Sequence, residues 1–162
     1  SINKLKSKGS FALPPTKEPF DLSLLIEQVK IRFNTISGVS NIKTEVTQGL
    51  QINADYQMTE TILNNLVENA LKYAGKAEDI ILYARKEGVQ TVFGVRDLGP
   101  GVLKEHKTEV FTKFFRAENE ETRSQKGTGL GLYIVVELIA IQDGTIVCMN
   151  NEPKGTNFQI KM

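Results

Sequence analysis

Apolar residues recur at helical spacing in three stretches of this chain. The first begins after Asp21 or Ser23, either of which can cap a helix, and the second begins after Asp55. Shorter apolar or alternating runs predict strands. The helices are expected at residues 22–33, 56–74 and 129–141, and the strands at residues 41–47, 50–53, 80–86, 89–96, 145–150 and 156–162.

Mixed helices and hairpin-linked strands are typical of an α+β fold. The pattern predicts a two-layer α/β sandwich, in which about three helices cover one face of a mixed sheet of about five strands. Residues 1–19 are basic and then rich in proline, so we expect them to be the end of an upstream helix followed by a linker. The folded domain is expected at residues 20–162, as a piece of a longer protein.

Composition is that of an ordinary globular protein. The 162 residues are 40% hydrophobic and 24% charged, with a formal net charge of +1. This balance gives no reason to expect binding to nucleic acid, and no apolar stretch approaches the roughly 18 residues of a membrane helix. The single cysteine, Cys148, excludes an internal disulfide, and we expect it to be buried in a strand.

A polar stripe runs along the second predicted helix. Asn65, Asn69, Lys72 and Tyr73 are spaced so that they share one side of it. An amide oxygen can bind a hard cation, and a lysine one turn further can meet a phosphate. A solvated helix face has the same appearance.

An aspartate followed by glycines comes directly after a predicted strand. The Asp97 carboxylate can accept a hydrogen bond from an exocyclic amine, while Gly99 and Gly101 let a flat ring approach the backbone. A plain turn has the same composition.

A glycine-rich turn opens the third predicted helix. It contains Gly127, Thr128, Gly129, Leu130 and Gly131. Free N–H groups at the start of a helix bind anions, and glycine lets a phosphate come close. The spacing differs from that of a P-loop or a dinucleotide-binding fingerprint, and a glycine hinge is the alternative.

The stretch at residues 111–126 is polar and lacks a clear period. Its cations are Lys113, Arg116, Arg123 and Lys126. A segment of this kind inside a compact domain is typical of a functional lid, with a disordered loop as the alternative.

Taken together, these motifs resemble the C-terminal catalytic and ATP-binding domain of bacterial sensor histidine kinases. That domain belongs to a superfamily with DNA gyrase B, the ninety-kilodalton heat-shock chaperone and mismatch-repair ATPases. The matching motifs are the N box at 65–73, the first glycine box at 97–101, the F box at 111–116, the second glycine box at 127–132 and the closing Gly-Thr-Asn-Phe at 155–158. Each motif alone is weak to moderate, but all five in this order are specific.

The resemblance implies the Bergerat ATP-binding fold, with ATP and Mg²⁺ as cofactors. It implies that Asp97 binds the adenine amino group with the support of Thr156, and that Gly99 and Gly101 shape the pocket wall. Asn69 is implied to be the main magnesium ligand, with Asn65 as a second candidate near the metal and the phosphates.

The remaining implied contacts lie around the phosphates. Lys72 is expected near them, and with Asn65 and Asn69 it would carry the catalysis, while Tyr73 lies beside the nucleotide. The glycine turn and the lid supply the other contacts, from Arg116, Arg123, Lys126, Gly127, Thr128, Gly129, Leu130 and Gly131.

One position distinguishes this chain from the gyrase and chaperone branch. There, a glutamate one turn before the metal-binding asparagine activates water, but here that residue is Asn65. A neutral amide is a very poor base, so transfer to a protein acceptor is favoured over hydrolysis. The nearby Glu68 is interpreted as the partner of Lys72 in a surface ion pair.

The resemblance implies transfer of the γ-phosphoryl group to a histidine on a dimerisation domain upstream of Ser1. The only histidine here is His106, which we do not expect to be the acceptor, so this chain alone should not phosphorylate itself. We expect a monomeric chain, a homodimeric parent, a response regulator as indirect partner, and a cytoplasmic domain whose parent can be anchored in the inner membrane. The alternatives are an anti-sigma-factor serine kinase and a non-catalytic nucleotide-dependent binding module, with a gyrase-like hydrolase disfavoured by Asn65.

Overall fold

Three α-helices and seven strands form the part of the chain that the computed structural model describes, which comprises residues 14–38, 41–74, 78–116 and 128–162. The helices are α1 (Leu22–Ser37), α2 (Tyr56–Ala74) and α3 (Gly131–Ala140). The strands are β1 (Glu18–Asp21), β2 (Ile42–Val46), β3 (Gln51–Ala54), β4 (Ile80–Glu87), β5 (Gln90–Asp97), β6 (Thr145–Asn150) and β7 (Thr156–Lys161). Two short 3-10 turns, at Lys104–His106 and Glu109–Phe111, follow β5.

Five strands form the main sheet, in the order β2-β4-β5-β7-β6. The β2–β4 pair is parallel and the other three pairs are antiparallel, so the sheet is mixed. Alternation along β4 separates the two faces: Leu82 and Ala84 join the core, whereas Arg85 is exposed. Helix α1 contacts β2 and β4, α2 contacts β5, and α3 contacts β6. The predicted α+β sandwich is confirmed.

Helix α2 contributes a large share of the core. Asp55 caps it, because its Oδ1 accepts a hydrogen bond from the N–H of Met58 at 3.0 Å. Leu63, Leu66 and Val67 on its inner face are completely buried. Each such side chain contributes roughly 1.5–3 kcal/mol by leaving water. The opposite side of α2 is therefore free to carry polar residues in a fixed position.

A two-stranded sheet that the sequence did not predict holds the start of the described chain. Strand β1 pairs with β3, so Glu18 and Pro19 belong to a strand rather than to a linker. The N–H of Thr16 donates to Asp55 Oδ2 at 2.8 Å, and Lys17 Nζ lies 3.0 Å from Asp143 Oδ2. These contacts join the leading segment to the ends of α2 and α3.

The expectation for Cys148 holds in part. It lies in β6, as predicted, but it is half-buried. Burial raises the pKa of its thiol to about 11, so the thiol stays neutral at physiological pH. Across the described ranges, none of the helices has the length and apolar character that crossing a membrane requires.

Candidate active site

A cavity of about 430 Å³ opens between α2, α3 and the ends of β5 and β7. Its wall combines polar groups from α2 and β5 with the glycine turn before α3. The polar and glycine-turn lining consists of Asn65, Glu68, Asn69, Lys72, Tyr73, Asp97, Gly101, Thr128, Gly129, Leu130, Gly131 and Thr156. The structure therefore brings into one cavity motifs that are up to 91 positions apart in the sequence, from Asn65 to Thr156.

Asn65 lies where α2 approaches the glycine turn. Its Nδ2 donates to the carbonyl of Thr61 one turn earlier, at 2.8 Å. Its Oδ1 lies 3.1 Å from the position that a Cβ at Gly131 would occupy. A side chain larger than hydrogen at Gly131 would therefore press on the Asn65 amide, so the glycine gives this amide room where α2 and α3 approach each other.

Asn69, Lys72 and Tyr73 follow Asn65 along the same wall. Lys72 Nζ lies 4.8 Å from the centroid of the Tyr73 ring, which is a cation–π arrangement. Within the ranges 14–38, 41–74, 78–116 and 128–162, Lys72 forms no ion pair with Glu68, so the ion pair expected from the sequence is not formed there. Glu68 is instead an exposed carboxylate on the rim of the cavity.

Asp97 is the buried acid of the cavity, with 4% of its surface exposed. Its Oδ1 accepts hydrogen bonds from the N–H of Gly99 at 2.8 Å and from the N–H of Thr156 at 3.3 Å. Burial raises the pKa of this carboxyl above its ordinary value, and the two N–H donors oppose that shift. Since both donors meet Oδ1, Oδ2 is the oxygen available to a ligand.

The glycine turn packs directly against the F box. Gly129 has a φ of +69°, and its carbonyl accepts a hydrogen bond from the N–H of Phe114 at 3.0 Å. A Cβ at Gly129 would lie 2.9 Å from backbone atoms of Phe114 and Phe115. This left-handed residue cannot belong to the helix, so α3 begins at Gly131, two residues later than predicted.

The start of α3 has no side-chain cap among the described residues. Leu130 occupies the N-cap position there. The first N–H groups of any α-helix have no partner within it, and the helix dipole makes that end attractive to anions. These donors face a cavity that also contains Asn65, Asn69 and Lys72.

The other residues that the sequence predicted for the site do not all line the cavity. Gly101 lines the cavity, whereas Gly99 supports its wall from behind, where a Cβ would lie 2.9 Å from Ala74 Cα. Arg116 is exposed and does not belong to the lining. Three predicted contacts, Arg123, Lys126 and Gly127, lie outside the described residues.

The apolar part of the wall was missed by sequence reasoning. These residues come from β7, α3, the F box and the segment between β5 and the F box, and they give the cavity a surface suited to a flat aromatic ring. They are Pro100, Val102, Val110, Phe115, Leu132, Ile134 and Phe158. Four of them lie within motifs identified in the sequence, but nothing local marked any of the seven as a ligand contact, because apolar residues of a pocket and of a core follow the same pattern.

A divalent cation would find amide oxygens here rather than a cluster of acids. The part of the chain with described coordinates contains no group of three or more His, Cys, Asp and Glu side chains that could hold a metal ion. The Asn69 side chain lines the cavity and has no hydrogen-bond partner among those same residues. A free amide oxygen suits a hard cation that brings its other ligands from phosphate and water.

The family model described as "Histidine kinase-, DNA gyrase B-, and HSP90-like ATPase" matches residues 54–162, about two-thirds of the chain. The chain therefore belongs to this family, whose membership implies ATP binding. It is a histidine-kinase-like ATPase domain, as the resemblance of its motifs implied.

Individual relatives agree with this assignment. The chain is 29% identical to the sensor-like histidine kinase SenX3 of Mycolicibacterium smegmatis, over 91% of this chain and 39% of that protein. The catalytic domain of histidine kinase ThkA is 26% identical, with a TM-score of 0.77 over 90% of this chain and 94% of that one. Full-length ShkA in complex with AMPPNP is 28% identical, with a TM-score of 0.78 over 93% of this chain and 32% of that one. The chain thus spans less than two-fifths of the length of SenX3.

Proposed function

We propose that this chain binds Mg–ATP and transfers the γ-phosphoryl group to a histidine on an upstream dimerisation domain of its parent protein. The observation that carries the proposal is that the two ends of this cavity differ in chemistry. A buried carboxylate, Asp97, lies in one part of its wall, while amides, a lysine and a glycine turn form another. This matches a ligand with an amine on one end and phosphates on the other.

The adenine end of the proposed complex is formed by Asp97 and the apolar wall. Oδ2 of Asp97 would accept a hydrogen bond from the exocyclic amine, which guanine lacks at that position. Val110 and Phe158 supply apolar contact for the ring. A carboxylate that is already held by two N–H donors needs no reorganisation when the base binds.

The phosphate end is formed by α2 and the start of α3. Asn69, with Asn65 as the second candidate, would hold Mg²⁺ through amide oxygens. When bound, the cation neutralises the charge that develops on the transferred group. Lys72 and the backbone donors before α3 bind the phosphate oxygens and keep the γ-phosphoryl group in a fixed orientation.

Two side chains that could have pointed to a different reaction, Asn65 and His106, are unsuited to it. This supports transfer of the phosphoryl group to another domain. The Asn65 amide is bonded to Thr61 and cannot act as a base toward water. His106 Nδ1 lies 2.8 Å from Glu109 Oε2, and its ring packs on Phe115 at 5.4 Å between centroids. These contacts give His106 a structural role and make an acceptor histidine elsewhere the better candidate.

An apolar contact surface for the acceptor domain lies beside the cavity. Phe114 is 64% exposed and Ile134 is 39% exposed, and Lys113 Nζ lies 5.1 Å from the Phe114 ring centroid. Large exposed apolar residues next to a catalytic site suit a partner that must come close. In this proposal the parent is a homodimeric sensor kinase, this domain is cytoplasmic, and a response regulator accepts the phosphoryl group from the histidine.

The test is phosphoryl transfer in the parent protein with γ-labelled ATP and Mg²⁺. The proposal predicts label on the protein that is acid-labile and base-stable, as phosphohistidine is, and its loss in the Asn69→Ala variant. Acid-stable label on serine would instead identify a serine kinase. Release of inorganic phosphate without protein label would identify a hydrolase, and bound nucleotide without either product would identify a binding module.

A further inference from the structure

The turn between β6 and β7 lies directly on the end of β5. Gly155 has a φ of +104°, and a Cβ there would lie 2.0 Å from the carbonyl oxygen of Asp97. The two backbones are therefore in contact at the residue that carries the buried carboxylate. Any shift of this turn moves Thr156 as well, because Thr156 follows Gly155 and donates its N–H to Asp97 Oδ1.

Asn151 connects this turn both to itself and to the end of β5. Its backbone N–H donates to the carbonyl of Gly155 at 3.0 Å and closes the turn. Its side-chain Nδ2 donates to the carbonyl of Asp97 at 2.9 Å, across 54 residues of sequence. Asn151 is half-buried and does not line the cavity, so it does not touch the ligand space itself.

We propose that Asn151 is the positioning residue that orients Asp97 and thereby selects a purine with an amine at its sixth position. This inference rests on the proposed nucleotide function. Asn151 reaches Asp97 by two routes. Its Nδ2 donates to the Asp97 carbonyl, and its backbone N–H holds Gly155, which is followed by Thr156, the donor to Asp97 Oδ1. Together these contacts keep Oδ1 occupied and Oδ2 directed to the base.

Without the Asn151 side chain, the Asp97 carbonyl loses its cross-turn donor, and only the backbone contacts of Gly155 and Thr156 still hold the end of β5. The carboxylate can then rotate, and its preference for an amine weakens. The phosphate contacts proposed for α2 and the glycine turn do not depend on the β6–β7 turn. The effect should therefore fall on base selection rather than on nucleotide affinity as a whole.

The experiment compares ATP with purine riboside triphosphate, which lacks the exocyclic amine, by calorimetric titration of the full chain. For the unsubstituted chain we expect ATP to bind tighter by on the order of tenfold, the value of a hydrogen bond to a charged group. In the Asn151→Ala variant, the ratio of the affinity for ATP to the affinity for purine riboside triphosphate should fall toward one. The Asn151→Asp variant keeps the shape of the side chain, but an ionised carboxylate cannot donate a hydrogen bond to the Asp97 carbonyl. It should lower the same ratio, and it replaces the alanine variant if that variant does not fold.

The matched control is Lys154→Ala in the same turn. The Lys154 side chain forms an exposed ion pair with Glu78 at 3.0 Å, and among the described residues it has no hydrogen bond to the Asp97 carbonyl, so its loss should leave the ratio unchanged. If the Asn151 variants weaken both ligands equally and keep the ratio, Asn151 is only structural and the inference is wrong. If the unsubstituted chain binds neither ligand, or if Asp97→Asn keeps its ratio, the proposed nucleotide site itself is wrong.

Discussion

Replacing Gly129 by alanine tests how tightly the glycine turn and the F box depend on each other. Gly129 combines a left-handed backbone with the closest packing in the turn, since a new Cβ would lie 2.9 Å from backbone atoms of Phe114 and Phe115. Backbone atoms cannot rotate away as a side chain can. Either the turn or the F box must therefore move, and both border the cavity.

The size of the effect follows from two separate costs. A left-handed conformation costs an alanine roughly 1–2 kcal/mol, which is partly offset by the lower entropy of its unfolded chain, by about 0.4–1 kcal/mol. Inserting a methyl group where no room exists costs typically about 1–3 kcal/mol more. We therefore expect Gly129→Ala to lower the free energy of unfolding by about 2–4 kcal/mol and to weaken ATP binding.

Gly49 provides a control with the same backbone conformation. Its φ is also +69°, but a Cβ there would have no atom within 4 Å. Gly49→Ala should therefore lower the free energy of unfolding by only about 1 kcal/mol and leave ATP binding unchanged. Urea unfolding followed by circular dichroism gives the free energies, and calorimetric titration with an ATP analogue gives the affinities. If both variants lose the same stability and keep their affinity for ATP, close packing is not the reason for a glycine at position 129.

Three further predictions concern the proposed chemistry. Mg²⁺ should increase the nucleotide affinity of the unsubstituted chain, and in Asn69→Ala this increase should be smaller by about tenfold. Titration with and without the cation measures it, and an unchanged increase would exclude Asn69 as a magnesium ligand. The preference for ATP over purine riboside triphosphate should fall as the pH drops through the pKa of Asp97, which burial raises above the ordinary aspartate value, because only the ionised carboxylate favours the amine. The preference in Asp97→Asn should lack this pH dependence. Phe114→Ser should lower phosphoryl transfer in the parent protein while leaving nucleotide affinity unchanged, and an equal loss of both would contradict its assignment to the acceptor surface.

Local signals in the sequence predicted most of the helices and strands. Asp55 and its first hydrogen bond to Met58 are what the capping rule anticipates, and the buried face of α2 follows the helical period. Strand β1 was missed because Pro19 suggested a linker. Proline is tolerated in an edge strand, and β1 is one strand of an isolated pair.

The polar side of the candidate site was also visible in the sequence, because motif spacing placed Asn65, Asn69 and Lys72 on one helix face. Most of its apolar wall was not, since residues such as Val110 and Ile134 have the same pattern as core residues.

Contacts between distant segments account for the rest of what the sequence could not predict. The hydrogen bond from Asn151 to the Asp97 carbonyl joins residues 54 positions apart, and no local pattern marks Asn151 as its donor. The Glu68–Lys72 ion pair, by contrast, was expected from spacing alone. The structure directs Lys72 toward Tyr73 instead, which a helical spacing rule cannot anticipate.

The most direct measurement of the central claim is a calorimetric titration of this chain with a non-hydrolysable ATP analogue and Mg²⁺, beside its Asp97→Asn variant. We expect saturable, one-to-one binding by the unsubstituted chain and much weaker binding by the variant, because the asparagine amide replaces the carboxylate that accepts the adenine amine. Equal binding by both proteins, or no binding by either, would contradict the nucleotide site described above.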